Sequence, residues 1–341
     1  MKNLRATPPV LFMALCLTGC TASPDPVKIK GPKTTVKTTE GETDTGTPTT
    51  STSTTSTPTT TPYDCELPPP PTTWDYLNWT PPSEEFQFDA IGNLVNIDEV
   101  AGWIFETPWG GPPVLLAPYD ATEIAAIRFL LDGDLAVADE ANGALRRVGL
   151  DGTKTTLLGG LNNPNSMAIR DDGFIFVTAF DTIFRVDPDS GDSTLVVRLA
   201  GADLDGLVFS PDFDHLYFNS DETGQVMLVT LDAVGDAVDS QSVASVDLGW
   251  GDQLDGQAMD SCGNLYVIRT DGRLLRIQFD GTTEILLDLT HPGFVSTTSL
   301  HFGSGVGGWE LDHLYVMNRE GGMFEVDMGI DGAAPAHLLS P

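Results

Sequence analysis

The chain has 341 residues, with 17 Lys and Arg against 49 Asp and Glu, a formal charge of −32, 40% hydrophobic residues and 8% aromatic ones. A surface this acidic repels nucleic acid and anionic lipid headgroups, which excludes both as partners. The hydrophobic share is ample for a large folded core, and no apolar run past the first residues is long enough to cross a membrane.

Lys2 and Arg5 precede an apolar run over residues 10–17, which ends in Leu17, Thr18, Gly19 and Cys20. A basic start, a short apolar core and small residues before a cleavage point describe an export signal rather than an anchor. The last four residues resemble the lipobox of bacterial lipoproteins. That resemblance implies a signal over residues 1–19, cleavage before Cys20 and lipidation of Cys20. With Thr21 rather than Asp after the Cys, it implies an outer-membrane or cell-surface position in the bacterial envelope.

Residues 20–73 then read as a disordered tether. Residues 34–61 are mostly Thr, Ser and Pro, and Val36 is their only large apolar residue, so ordering them would bury almost nothing. Such a segment extends away from the bilayer and offers O-glycosylation sites. Once the signal and Cys20 are set aside, Cys65 and Cys262 remain. An even pair in an oxidising compartment favours a disulfide, which would pin the end of the tether to a turn in the fifth repeat.

The remainder, residues 74–341, carries one phrase six times: an inner apolar alternation, a turn, then an apolar strand. The copies start at Glu84, Ala125, Asn165, Asp205, Asp255 and Thr298, with spacings of 41, 40, 40, 50 and 43 residues. That period is one propeller blade. Further short strands follow in each copy, as in Ala144-Leu145-Arg146-Arg147-Val148 and Thr283-Glu284-Ile285-Leu286-Leu287, with Asp-Gly turns between them. The expected fold is therefore all-β, a six-bladed β-propeller of four-stranded antiparallel blades. Which strand closes the ring stays open. Residues 74–79 are a candidate outer strand for a terminal blade, and the 50-residue spacing suggests a long rim loop over residues 232–251.

The first residue of each phrase begins the strand nearest the propeller axis. Equivalent positions converge there, so Glu84, Asn165, Asp205, Asp255 and Thr298 should meet across blades. Packed carboxylates repel unless a cation neutralises them. An oxygen-only set without Cys or His suits calcium, Ca2+, better than zinc or copper.

The chain resembles the gluconolactonase and senescence-marker-protein (regucalcin) family over the six repeats. The likeness rests on Asp205-Gly206-Leu207-Val208-Phe209, on Asp255-Gly256-Gln257-Ala258-Met259 and on Pro164-Asn165-Ser166-Met167. It implies Glu84, Asp205 and Asp255 as ligands of a central divalent cation, with Asn165 beside it. Blade four carries Asp205 where the family usually has Asn, and Glu85-Phe86 follows Glu84 where the family has Gly-Pro. The leading expectation is a calcium-dependent hydrolase of a lactone or ester. Asp255 would be the general base, with Asn165 and Thr298 orienting substrate or water. The competing expectation is a non-catalytic module, to which Asn142-Gly143-Ala144-Leu145-Arg146-Arg147-Val148 lends an NHL-like cast. Its central ion would be structural, and its rim, with Trp103, Trp109, Trp250 and Trp309, would bind a protein or glycan ligand. No feature requires an oligomer, so a monomer held to the membrane by its lipid alone is expected.

Overall fold

The repeated phrases become the inner strands of six sheets. In the computed structural model the described residues are 65, 67–98, 102–119, 123–221, 223–249, 251–289 and 296–339. The segment expected to be an export signal, Cys20, most of the expected tether and Trp250 lie outside them.

Each of the first five blades is four consecutive antiparallel strands. Their inner strands are Phe86–Phe88, Ile124–Phe129, Pro164–Ile169, Leu204–Phe209 and Leu254–Met259. Blade six has its inner strand at Thr297–Phe302, followed by His313–Asn318 and Met323–Asp327. Its fourth, outermost strand is Asp75–Leu77, from the start of the domain, paired antiparallel to Met323–Asp327. The candidate outer strand in residues 74–79 thus closes the ring.

Six hydrophobic clusters hold the sheets together, one at each blade interface. Blades one and two, for example, share Val95, Ile97 and Ile104 with Ile124, Ile127 and Leu135. The interface where the two ends of the ring meet is the aromatic one. Phe86, Phe88, Trp309 and Tyr315 are buried there, with Trp79 packed against them. Trp309 sits 4.7 Å from Phe88 and 4.7 Å from Trp109, ring centre to ring centre, and its Nε1 donates to Gly92 O at 3.0 Å. Trp309 is therefore buried in a seam, while Trp109 packs against it and stays 37% exposed.

The 50-residue spacing has only in part the cause expected. In blade four Gln225–Leu231 pairs with Ala237–Ser245, a nine-residue outer strand. The extra length goes partly into this outer hairpin and partly into the connection to Leu254, whose Gly251, Asp252 and Gln253 line the axial cavity.

Cys65 and Cys262 form a disulfide, with Cα atoms 5.8 Å apart. The chain then crosses blade five, where buried Arg276 donates to Pro68 O at 2.8 Å, before reaching blade six as Asp75–Leu77.

Candidate functional site

Five of the six inner strands carry a β-bulge at the same place. The register shifts fall between Ile124 and Ala126, Pro164 and Met167, Asp205 and Leu207, Leu254 and Gln257, and Thr297 and Leu300. A bulge inserts an unpaired residue and bends the strand, re-aiming the side chains beside it. Each bulge contains or adjoins the first residue of the repeated phrase.

The outcome is convergence. Glu84, Ala125, Asn165, Asp205, Asp255 and Thr298 all line one polar cavity of about 540 Å³. Glu123, Glu140, Asp221, Asp252 and Asp271 complete an acidic wall, and Arg319 is the one basic side chain among the described lining residues. At the other end of the axis, Phe88, Phe209, Phe302 and residues 333–338 surround a smaller, mainly apolar space of about 100 Å³. His337 fixes this C-terminal cap through a 2.8 Å hydrogen bond between its Nε2 and Phe88 O.

Two Asp-Gly pairs allow the inner strands to approach. A Cβ on Gly206 would lie 2.7 Å from Asp255 O, and one on Gly256 would lie 2.8 Å from Thr298 O and from Ser299 Cα. Asn219 Nδ2 donates to Asp255 O at 2.6 Å, tying blade four to blade five at this level. Gly256→Ala is expected to push backbone against backbone and lower stability by about 1–3 kcal/mol. A thermal melt of the variant checks this, and an unchanged melt would show that the strands can spread.

The charges are set by this crowding. Burial pushes the Asp205 carboxyl up to about 7, with Asp221, Glu85 and Asp203 adding repulsion against a hydrogen bond from the Gly206 amide. Burial likewise raises Asp255 well above the usual carboxylate range, helped by Asp205, Glu84 and Glu85. Both carboxyls keep some access to the cavity while protein surrounds them. Glu84 is held by Arg319, Oε2 to Nε 2.8 Å. The Thr298 hydroxyl is buried and has no hydrogen-bond partner among the described residues.

Among the described residues, no three carboxylate, imidazole or thiol groups form a ready-made cation cluster. The donor set nonetheless fits a hard cation: two crowded carboxyls with raised affinity for protons, an amide, and an orphaned hydroxyl, all offering oxygen.

Beneath the cavity lies a polar layer that the repeat pattern did not reveal. Glu85 Oε2 pairs with Arg128 Nη2 at 2.8 Å, while its Oε1 accepts from the Phe86 amide at 3.0 Å and lies 2.9 Å from His301 Nε2. His301 reaches Glu85 from the inner strand of blade six. Burial lowers its pKa, against the pull of Glu85. The missed signal was a polar residue one to three positions after the first residue of the repeated phrase in five of the six copies: Glu85, Arg128, Ser166, Gln257 and His301.

These features define a six-bladed propeller with an acidic axial cavity closed at its far end. The family that the sequence resembles is borne out over blades three to six, where residues 177–319 match the model described as SMP-30/Gluconolactonase/LRE-like region. That span contains Asp205, Asp255, Thr298 and Arg319 and leaves Glu84 and Asn165 outside it. Solved structures share the fold. A gluconolactonase from Xanthomonas campestris is 22% identical, with a TM-score of 0.62 over 78% of this chain and 96% of its own. A calcium-binding regucalcin from Agrobacterium tumefaciens is 18% identical, with a TM-score of 0.61 over 76% and 94%. A virginiamycin B lyase from Staphylococcus aureus is 12% identical, with a TM-score of 0.55 over 75% and 99%. Comparison with curated protein sequences gives no match.

Proposed function

We propose that the protein is a lipid-anchored hydrolase of the bacterial cell envelope, dependent on calcium and acting on a small lactone or ester. The observation that carries this reading is the meeting of Glu84, Asn165, Asp205, Asp255 and Thr298 in one cavity. The resemblance of the chain to a gluconolactonase family supports the reaction class, and the calcium-binding relative supports the cation. The lipobox around Cys20 supports the envelope position.

Glu84, Asp205 and Asp255 are the residues that would hold the cation. When bound, it supplies Lewis acidity toward a carbonyl oxygen. The chain does the rest. Asp255, on the cavity floor, takes the proton of the attacking water. Asn165 and the Thr298 hydroxyl orient water or substrate. The capped far end of the axis makes the acidic mouth the route of entry, and its carboxylates favour a neutral or cationic substrate over an anionic one.

The test is calcium titration by calorimetry on the full chain and on Asp255→Ala, followed by a lactone and ester screen. Binding by wild type that the substitution removes, with turnover reduced at least ~100-fold, is the expected result. No binding by a folded wild type would sink the reading. A second reading, a module that binds a polar ligand, a protein or a glycan without turnover, draws on the ion pair that engages Glu84. Calcium binding with no hydrolysis of any lactone or ester would favour it.

A further inference from the structure

We propose that Arg319 is a built-in competitor for the axial cation, holding the Glu84 carboxylate until a divalent ion displaces it. The inference rests on the axial-cation reading above and goes beyond it, because it assigns a role to a residue outside the ligand set.

The geometry separates two kinds of arginine at this mouth. Arg269 clamps Asp252 and Asp271, and its side chain is only 4% exposed. It cannot leave without stranding buried charge. Arg319 is 51% exposed, yet its Nε reaches Glu84 Oε2 at 2.8 Å, where the Glu84 side chain is 18% exposed. Its guanidinium can swing into water at little solvation cost.

The backbone holds Arg319 in place for this. It follows the strand His313–Asn318, and its amide donates to Ser296 O at 2.9 Å. The turn behind it is closed by Gly321 N donating to Asn318 O at 2.8 Å and Asn318 N donating to Gly322 O at 3.1 Å. A long flexible side chain on a fixed base can therefore exchange between Glu84 and solvent without moving the blade.

Guanidinium and divalent ion cannot share one carboxylate cheaply, since like charges a few ångströms apart repel. Cation binding and guanidinium release are then one event. Release also changes what a substrate meets, because Arg319 is the one basic side chain among the described residues of the cavity wall. The loaded site gains a free positive arm at its mouth, suited to a carbonyl oxygen or a hydroxyl of the ligand.

The experiment is calorimetric titration of the full chain with calcium alone at low ionic strength, for wild type, Arg319→Met, Glu84→Gln and the double variant, with a melting curve to show that each is folded. Arg319→Met is expected to bind about tenfold tighter than wild type, equivalent to about 1.4 kcal/mol. In the Glu84→Gln background the same change should alter affinity less than about twofold, because the carboxylate through which Arg319 acts is gone. Binding by Arg319→Met where wild type shows none would support competition in its strongest form. Unchanged or weaker binding by Arg319→Met overturns the proposal and leaves the axial cation standing, as does an equal gain in both backgrounds, which would mark a general charge effect. No binding by any folded variant overturns the axial cation, and this proposal with it.

Discussion

Replacing Arg128 with Met is expected to destabilise the propeller by about 3–5 kcal/mol, because it removes one partner of a buried ion pair. The Arg128 and Glu85 side chains are only 7% and 9% exposed, so a carboxylate left without its partner would be poorly solvated. Burial alone would push the Glu85 carboxyl up; Arg128 and His301 more than reverse this and hold it at about 2, below its ordinary 4.5. A carboxyl with a depressed folded pKa contributes stability that is present above pH 4.5 and lost as the pH falls toward 2. The deficit of Arg128→Met should therefore be largest near neutral pH and shrink in acid, where the stranded carboxylate of the variant takes up a proton. Urea unfolding at several pH values measures this. Because total stability is of the order of 5–15 kcal/mol, the variant should also accumulate poorly. Adding Glu85→Gln should recover much of the loss, since an amide is far cheaper to bury than an unpaired charge. A deficit independent of pH, or no recovery in the double variant, would show that Arg128 matters by packing alone.

This layer explains how far the sequence could be read. The repeated phrase located the inner strand of every blade, and its first positions do line one cavity, because a radial repeat places equivalent residues at equivalent radius. The next layer was hidden by the bulges. Strict alternation would assign every second residue to the axis, but the extra residue at the start of five inner strands resets that count. Blade one carries no such bulge, and Glu85 stood out there only as a departure from the family's Gly-Pro; His301 lies beyond the bulge of blade six, and the two meet from blades at opposite ends of the chain. Asp-Gly was ambiguous for a related reason. Asp132-Gly133 and Asp271-Gly272 are turns with φ near +91° at the Gly, as expected, whereas Gly256 serves the close approach of two strands. Arg319 fell outside the repeated phrase, and nothing local in the sequence pointed it toward Glu84.

Deleting residues 65–80 from the full chain should lower the melting temperature by about 10 °C or more, at 2–4 °C per kcal/mol for a domain of this size. Blade six depends on Asp75–Leu77 for its fourth strand, and a pattern this short let the sequence offer residues 74–79 only as a candidate. The contacts are nonetheless substantial. Trp74 and Tyr76 pack on Phe324 at 5.1 and 5.2 Å, Tyr76 OH donates to Gly321 O at 2.7 Å, and Trp79 meets Trp309 at 5.7 Å. Without them Met323–Asp327 becomes an open edge, so the deletion should also promote association through that strand, visible by light scattering. The Cys65–Cys262 disulfide anchors this strand from the neighbouring blade, so the crosslink and the strand form one latch across blades five and six. Its separation of 197 residues makes the restraint on the unfolded chain large, and Cys262→Ser alone should cost about 2–5 kcal/mol. Since both act through the same segment, their effects should not add: Cys262→Ser placed on the deletion should change the melt little further. Because the deletion removes Cys65 and so the crosslink itself, full additivity would mean that the Cys262 side chain supports blade five apart from the disulfide, and an unshifted melt of the deletion would mean that blade six closes without the leading strand.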